Sequence, residues 1–477
     1  MDKAQMINWL DQHTPEFTAI SDAIWERPEL GYHEFFATKL QSEFMEAQGF
    51  SITRDIAGMN TAFVAEWGKG KPVFGFAGEF DALPGLSQKP QPTPDPVEDG
   101  APGHGCGHNL LGVGCMAAAV AVKEWLQSTG TPGTVRYYAC PAEEGGAGKT
   151  FMARDGLFDD LDLAFNYHPM VFNTANKSSC LGVNHIRFVF HGKTAHAGAA
   201  PWEGRSALDA VELMNVGVNY LREHVPQDVR LHYVITNGGK APNIVPDEAE
   251  VWYYIRAHEP KTLADVTERV RNIARGAALM TSTKMEEIFE SATSSTLPNA
   301  YLADLHVAEM QKLGPTTYTK AELDYAATIN QALDYDYNNL RKRFEGMNLS
   351  MEVKEKFLSF VGLPVIGEPI PSYNEGEISG GSTDVGDLSR VVPCCEMTTA
   401  CWAVGVPGHS WGVTATGKHT IGHKGMMYAA KTMASVAVEC YQHPEHIEKA
   451  WEEFHKRQPE GYQCPIPEGI VPPRYEE

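Results

Sequence analysis

At 477 residues, 43% hydrophobic and 21% charged, the chain is too long for one ordinary core and has the composition of two or more globular domains. Its formal net charge of -22 argues against a nucleic-acid partner, though one arginine or a metal can still reverse the field inside a pocket. The start Met1-Asp2-Lys3-Ala4-Gln5-Met6-Ile7 lacks a basic stretch followed by an apolar one, and nine cysteines without regular spacing read as reduced thiols, so a cytoplasmic protein without membrane contact is expected.

Two textures follow one another. Up to about Ser178, strand-like runs at 61–67, 72–78, 134–140 and 161–167 alternate with helical ones. The apolar helix at 110–122 is rich in small residues and too short for a bilayer. Such alternation predicts a largely parallel sheet covered by helices. From about Gly182 the order becomes strand 185–190, helix 206–224, strands 229–236 and 248–257, helix 263–281 and strand 284–292. This β-α-β-β-α-β order is ferredoxin-like and reads as an inserted α+β domain. The expected division is 1–181 for the first part of an α/β catalytic domain, 182–293 for the insert and 294–477 for the second part. Within the last part, 320–373 is polar and weakly periodic and reads as elaboration around a pocket. A strand at 397–404, an amphipathic helix at 423–441 and an irregular tail from Pro465 complete the chain.

Residues of metal-binding type stand on separate loops at strand ends. Gly103-His104-Gly105-Cys106-Gly107-His108 is a glycine-loosened loop opening onto the apolar helix, Glu143 and Glu144 follow the strand 134–140, and His168 closes 161–167. Open α/β sheets bind ligands outside the carboxyl ends of their strands, so Cys106, His108, Glu144 and His168 point to a metal site. Singly, each has an ordinary alternative as core packing or a solvated charge. Burying Glu143 and Glu144 between an apolar strand and Gly145-Gly146 without a cation, however, costs on the order of several kcal/mol. His409, in Pro407-Gly408-His409-Ser410-Trp411, is the remaining ligand candidate, or else a polar loop histidine. Asp81, in Glu79-Phe80-Asp81-Ala82-Leu83-Pro84, either initiates a turn or accepts a hydrogen bond that fixes a ligand histidine's tautomer. Gly145-Gly146-Ala147-Gly148-Lys149-Thr150 imitates the end of a phosphate-binding loop, but Glu143 stands where that motif needs glycine. Gly380-Gly381-Ser382-Thr383-Asp384 imitates a serine elbow, with Asp384 in the closing glycine position. Neither chemistry is expected.

Arg27-Pro28-Glu29-Leu30-Gly31, Asp81-Ala82-Leu83-Pro84, His104-Gly105-Cys106-Gly107-His108, Pro141-Ala142-Glu143-Glu144-Gly145 and Ala195-His196-Ala197 together resemble the dinuclear metallo-amidohydrolases of the aminoacylase and carboxypeptidase group. Asn109-Leu110-Leu111-Gly112, Gly148-Lys149-Thr150-Phe151-Met152, Ser382-Thr383-Asp384-Val385-Gly386-Asp387 and the tail Tyr462-Gln463-Cys464-Pro465-Ile466-Pro467 are similar to the branch holding auxin-conjugate and p-aminobenzoyl-glutamate hydrolases. Asn109 departs from the Asp common at its place in the wider family. The resemblance implies a zinc-peptidase-like sheet whose insert is a lid and dimerisation module. Cys106, His108, Glu144, His168 and His409 would hold two divalent ions, zinc or manganese, with Glu143 as general base and Asp81 supporting a ligand. It places Arg256 in the cleft as a fork for a substrate carboxylate, Asn243 as an amide donor, and His196 where it reaches a partner subunit's site to stabilise an oxyanion. The implied activity is cleavage of the amide bond of an N-acyl amino acid, namely p-aminobenzoyl-glutamate from folate breakdown or a close relative. The alternatives are an N-acyl-amino-acid or auxin-conjugate hydrolase, a dipeptidase, or a non-catalytic binding subunit of a heteromeric hydrolase. The expected partner is a second copy or a homologous subunit.

Overall fold

Val73–Glu79 is buried at every position, which a strand tolerates only when both of its faces are covered. The computed structural model describes residues 1–458 and 460–476 and places this run inside a seven-stranded sheet. In chain order the strands are β1 (Ser51–Arg54), β2 (Phe63–Lys69), β3 (Val73–Glu79), β4 (Gly133–Cys140), β5 (Leu163–Met170), β6 (Thr174–Ala175), β7 (Gly182–His191), β8 (Arg230–Asn237), β9 (Glu248–Ala257), β10 (Lys284–Thr293) and β11 (Cys394–Ala400). The larger sheet has the order β1-β2-β4-β3-β5-β11-β6. Its centre, β4-β3-β5-β11, is parallel, but β1, β2 and β6 join antiparallel, so the sheet is mixed where a largely parallel one was predicted. The link from β1 to β2 is too short for the crossover that parallel neighbours need.

The apolar helix is His108–Thr129, longer than the predicted 110–122. By length and composition it could cross a membrane, yet 94% of its most apolar stretch is buried within the fold. It packs between the sheet and the helices Lys3–Glu26 and Thr420–Gln442. Its small residues allow that approach: a Cβ on Gly112 would meet the Glu79 carbonyl at 2.6 Å. The helix Lys3–Glu26, with Pro15 inside it, and the helix Phe35–Ala47 lie outside the sequence pattern described above. Residues 320–373 hold three helices, Lys320–Ala332, Tyr337–Gly346 and Met351–Leu358. The last two bury little beyond Leu340, Phe344 and Phe357, so helical periodicity is faint there. The last sheet strand ends at Ala400 and does not reach Val404.

The second sheet is antiparallel throughout, ordered β10-β7-β9-β8, with the helices Ala207–Leu221 and Pro260–Thr281 packed on it around Phe188, Val251 and Tyr253. Chain order and spatial order together are ferredoxin-like. Two contacts tie it to the larger sheet's loops: Ser291 Oγ donates to the Gly145 carbonyl at 2.7 Å, and Arg256 Nη1 donates to Ser382 Oγ at 2.8 Å.

Candidate metal centre

The carboxyl ends of β3, β4, β5 and β11 converge on one point, and backbone geometry selects the residues around it. Gly107 has φ +80° and lies where a Cβ would press on Pro169 and Trp402 at 3.2 Å, so the step from Cys106 into the helix needs glycine. Ala142 turns the chain after β4 at φ 57°, with its N–H donating to Glu34 Oε1 at 2.8 Å, and this presents Glu143 and Glu144. His168 lies within β5, not at its close, and faces Thr398 of β11. The His409 N–H donates to the Gly105 carbonyl at 3.0 Å, drawing the loop after β11 onto the Cys106 loop.

His108 is wholly buried, with Nδ1 2.8 Å from Asp81 Oδ1 and Nε2 3.2 Å from Glu79 Oε2. The other Asp81 oxygen accepts the Glu144 N–H at 2.9 Å, so one carboxylate orients residues on two loops. His168 Nδ1 lies 2.8 Å from the Pro169 carbonyl, which can only accept; that puts the proton on Nδ1 and leaves Nε2 as a lone pair, 3.3 Å from Cys106 Sγ. The ligand atoms of Cys106, His108 and His168 lie within 4.8 Å of one another, as do those of Cys106, Glu144 and His409. Cys106 is common to both groups. A third group joins Glu79, His108 and Glu143.

Burial pushes the Cys106 thiol well above its usual range. Burial, with the charges of Glu79 and Glu144, likewise holds Glu143 well above the usual carboxylate range. Burial opposes ionisation of Glu144 too, but the contact and charge of His409, with the charge of His108, bring it down to about 2. Burial works against a charged His108, and Cys106 and Asp81 overcome it, raising its affinity for a proton. His108 Nε2 and Glu144 Oε1 are buried and, although Glu79 Oε2 lies 3.2 Å from the first and His409 Nε2 3.4 Å from the second, neither makes a well-aligned hydrogen bond among the described residues. Orphaned acceptors beside a thiol and three imidazoles fit a divalent cation, which takes up the lone pairs and displaces the thiol proton.

Beneath this cluster lies a network that the sequence reading missed. Lys149 is wholly buried, with Nζ 2.7 Å from Glu79 Oε1 and 2.5 Å from Asp384 Oδ1, while its N–H donates to Asp384 Oδ2 at 2.8 Å. Asp387 accepts from Thr150 Oγ1 at 2.6 Å, Ser294 Oγ at 2.7 Å and Tyr462 OH at 2.9 Å. The segments imitating a phosphate loop and a serine elbow thus bind each other. Nothing in either segment alone announces that pairing. Asn109 faces away from the cluster, its Nδ2 donating to Ser21 Oγ at 3.0 Å and to the Gly417 carbonyl at 2.9 Å.

Cys106, Glu143, Glu144, His168 and His409 line a cavity of about 410 Å³ that runs along β11 past Thr398 and Glu396. A second cavity, of about 300 Å³, shares Glu143, Glu144 and His409 and extends to His185, Tyr254 and Arg256. Arg256 Nε is buried without a hydrogen-bond partner among the described residues. His196 and Asn243 line neither cavity: the Ala197 N–H donates to the Asn243 carbonyl at 3.0 Å, and both residues lie on the exposed loops of the insert.

Residues 181–280 match the M20 peptidase dimerisation domain, which fits a dimeric protein. The chain is 41% identical over 468 residues to the B component of the p-aminobenzoyl-glutamate hydrolase of Escherichia coli K12, covering 96% of this chain and 95% of that one. It is 33% identical to the Xaa-Arg dipeptidase of Mus musculus over 64% of this chain and 70% of the relative. Among solved structures, an aminobenzoyl-glutamate utilization protein from Klebsiella pneumoniae shares the fold with TM-score 0.62 at 17% identity, over 92% of this chain and 99% of that one. A dinuclear metal-binding peptidase of the M20 family from Bacillus subtilis does so with TM-score 0.55 at 18% identity, over 91% and 99%. The chain belongs to the M20 family of metallopeptidases and amidohydrolases. Within that family it stands with the B components of p-aminobenzoyl-glutamate hydrolases, and it is a hydrolase of amide bonds.

Proposed function

We propose that the chain cleaves the amide bond of an N-acyl amino acid, with p-aminobenzoyl-glutamate or a close relative as substrate and p-aminobenzoate and glutamate as products. The observation that carries this reading is the pair of donor groups meeting at Cys106 beside half-buried Glu143, with a cavity on either side. Cys106, His108, Glu144, His168 and His409 would hold two divalent ions, zinc or manganese, with Asp81 orienting His108. When bound, such ions polarise an amide carbonyl and make a water more acidic. Glu143 takes a proton from the attacking water and delivers it to the leaving nitrogen, a role that its raised proton affinity suits. Arg256 pairs the substrate carboxylate where water is excluded.

In this reading 1–181 and 294–477 form the catalytic unit, and 182–293 is a lid through which the chain dimerises with a second copy or a homologous subunit. Exposed Val216, Tyr220, Leu279 and Met280 on the insert's helices supply an apolar contact face. Across such an interface His196 would reach the partner subunit's site to stabilise an oxyanion, with Asn243 adding an amide donor. The proposed location is the cytoplasm, in keeping with nine free cysteines. The test is to load the purified chain with zinc or manganese and follow hydrolysis of p-aminobenzoyl-glutamate beside other N-acyl amino acids and dipeptides. Release of p-aminobenzoate as the fastest reaction is expected. A metal-loaded chain that turns over none of them is a binding subunit, and the reading fails.

A further inference from the structure

Glu396 is a carboxylate for which the proposed hydrolysis has no use. It lies in β11 two positions before Thr398, the residue paired with His168, so its side chain shares that face of the sheet roughly 7 Å along the strand. It lines the 410 Å³ cavity with Asn176, Thr174, Leu297 and Phe172. Asn176 Nδ2 donates to Glu396 Oε1 at 3.0 Å, and the Asn176 N–H donates to the Glu396 carbonyl at 3.0 Å. Asn374 Nδ2 in turn donates to Asn176 Oδ1 at 3.2 Å, which fixes the amide so that its nitrogen faces Glu396. Among the described residues, no lysine or arginine pairs with Glu396, and Oε2 has no protein donor. Burial, with the charge of Glu79, pushes its carboxyl up to about 7, as befits an acid without a counter-ion.

The two cavities give the cluster two unlike arms. Toward the insert lies Arg256, a cation for an anion; along β11 lies Glu396, whose Oε2 has no donor among the described residues. The walls between the cluster and Glu396 are apolar or hydroxyl-bearing, and the one arginine lining this cavity, exposed Arg343, lies over Phe172 at 4.7 Å. A flat, apolar acyl group with a donor nitrogen at its far end fits such a channel, and a ring length matches the two-residue step along β11.

We infer that Glu396, oriented by Asn176, is the specificity-determining acceptor for an arylamine in the para position of an aroyl group held in this cavity. The inference deepens the N-acyl amino acid reading and rests on it. A cavity that offers a carboxylate oxygen with no protein donor penalises a ligand that brings none, because that oxygen then loses water without replacement.

The test compares kcat/KM for p-aminobenzoyl-glutamate with that for p-methylbenzoyl-glutamate, which is nearly isosteric but donates no hydrogen bond. The zinc- or manganese-loaded wild type should prefer the amine about tenfold or more. Glu396→Leu should bring that ratio below about threefold, and Glu396→Gln, which keeps an acceptor, should fall between. A wild-type ratio near one overturns the inference without recourse to any variant, as does a tenfold ratio that survives Glu396→Leu. Wild type that cleaves dipeptides ending in arginine, with Glu396→Leu losing that activity alone, makes a cationic side chain the occupant and overturns the arylamine assignment. Turnover of neither aroyl-glutamate overturns the substrate reading itself, and the assignment with it.

Discussion

Replacing Lys149 by methionine should cost more than neutralising Asp384 beside it. The ammonium is wholly buried, 2.7 Å from one carboxylate and 2.5 Å from another, so a single cation offsets two anions. Methionine roughly keeps the volume but strips both carboxylates of their cation. Breaking a buried ion pair from one side costs about 3–5 kcal/mol. Part of that is relieved by protonation. Burial, against the pull of Lys149, already holds Asp384 up to about 6 with the lysine present, so at neutral pH it takes a proton first and moves the cost toward the lower figure. Asp384→Asn instead leaves Lys149 and Glu79 as a matched pair and should cost less than about 2 kcal/mol. The double variant should then be more stable than the sum of the two losses, by about 1–3 kcal/mol. The assay is urea unfolding of the chelator-treated protein, since bound metal would add its own stabilisation. Lys149→Met no less stable than Asp384→Asn, or strictly additive losses, would refute the view that one lysine neutralises two acids.

Glu143→Gln should keep its metal and lose about two to four orders of magnitude in kcat; near-normal turnover at saturating metal would take proton transfer away from Glu143. Cys106→Ser should lower metal content, since both donor groups share its sulfur, and an unchanged metal-to-protein ratio by elemental analysis with normal activity would show that the shared thiolate is dispensable. Arg256→Ala should raise KM strongly for substrates carrying a carboxylate and far less for the matching carboxamides. Equal effects on both would leave Arg256 a structural partner of Ser382.

The meeting of Cys106 and His108 was readable because the loop that carries both opens onto an apolar run, a local pattern that needs no knowledge of distant chain, whereas His168, read as closing its strand, lies within β5. The β-α-β-β-α-β order of the insert was readable for the same reason: its strands and helices follow one another at short range. Lys149 and Asp384 lie 235 residues apart, and each sits in a segment that imitates another motif, so only the folded chain shows them as one ion pair. The mixed sheet escaped because its antiparallel members are β1 and β6, strands too short to carry a periodic pattern, and β2, whose direction depends on the neighbour it finds. Glu396 stands one residue before the expected strand 397–404 and belongs to no motif. Its meaning comes from the cavity that its strand borders, and no local pattern encodes a cavity.

The insert divides the ligand candidates: Cys106, His108, Glu144 and His168 come before it and His409 after it, in the stretch that also brings β11 to β5. During synthesis the insert, with its own core and its own antiparallel sheet, emerges complete before β11 exists. Until then β5 is an open edge, offering unpaired amides and carbonyls to any extended chain nearby. A nascent chain halted before His409 would hold most of the donors without the loop that closes over them. The full set of ligand candidates is thereby assembled only when the last strand has arrived, and until then the open edge of β5 leaves the chain exposed to aggregation.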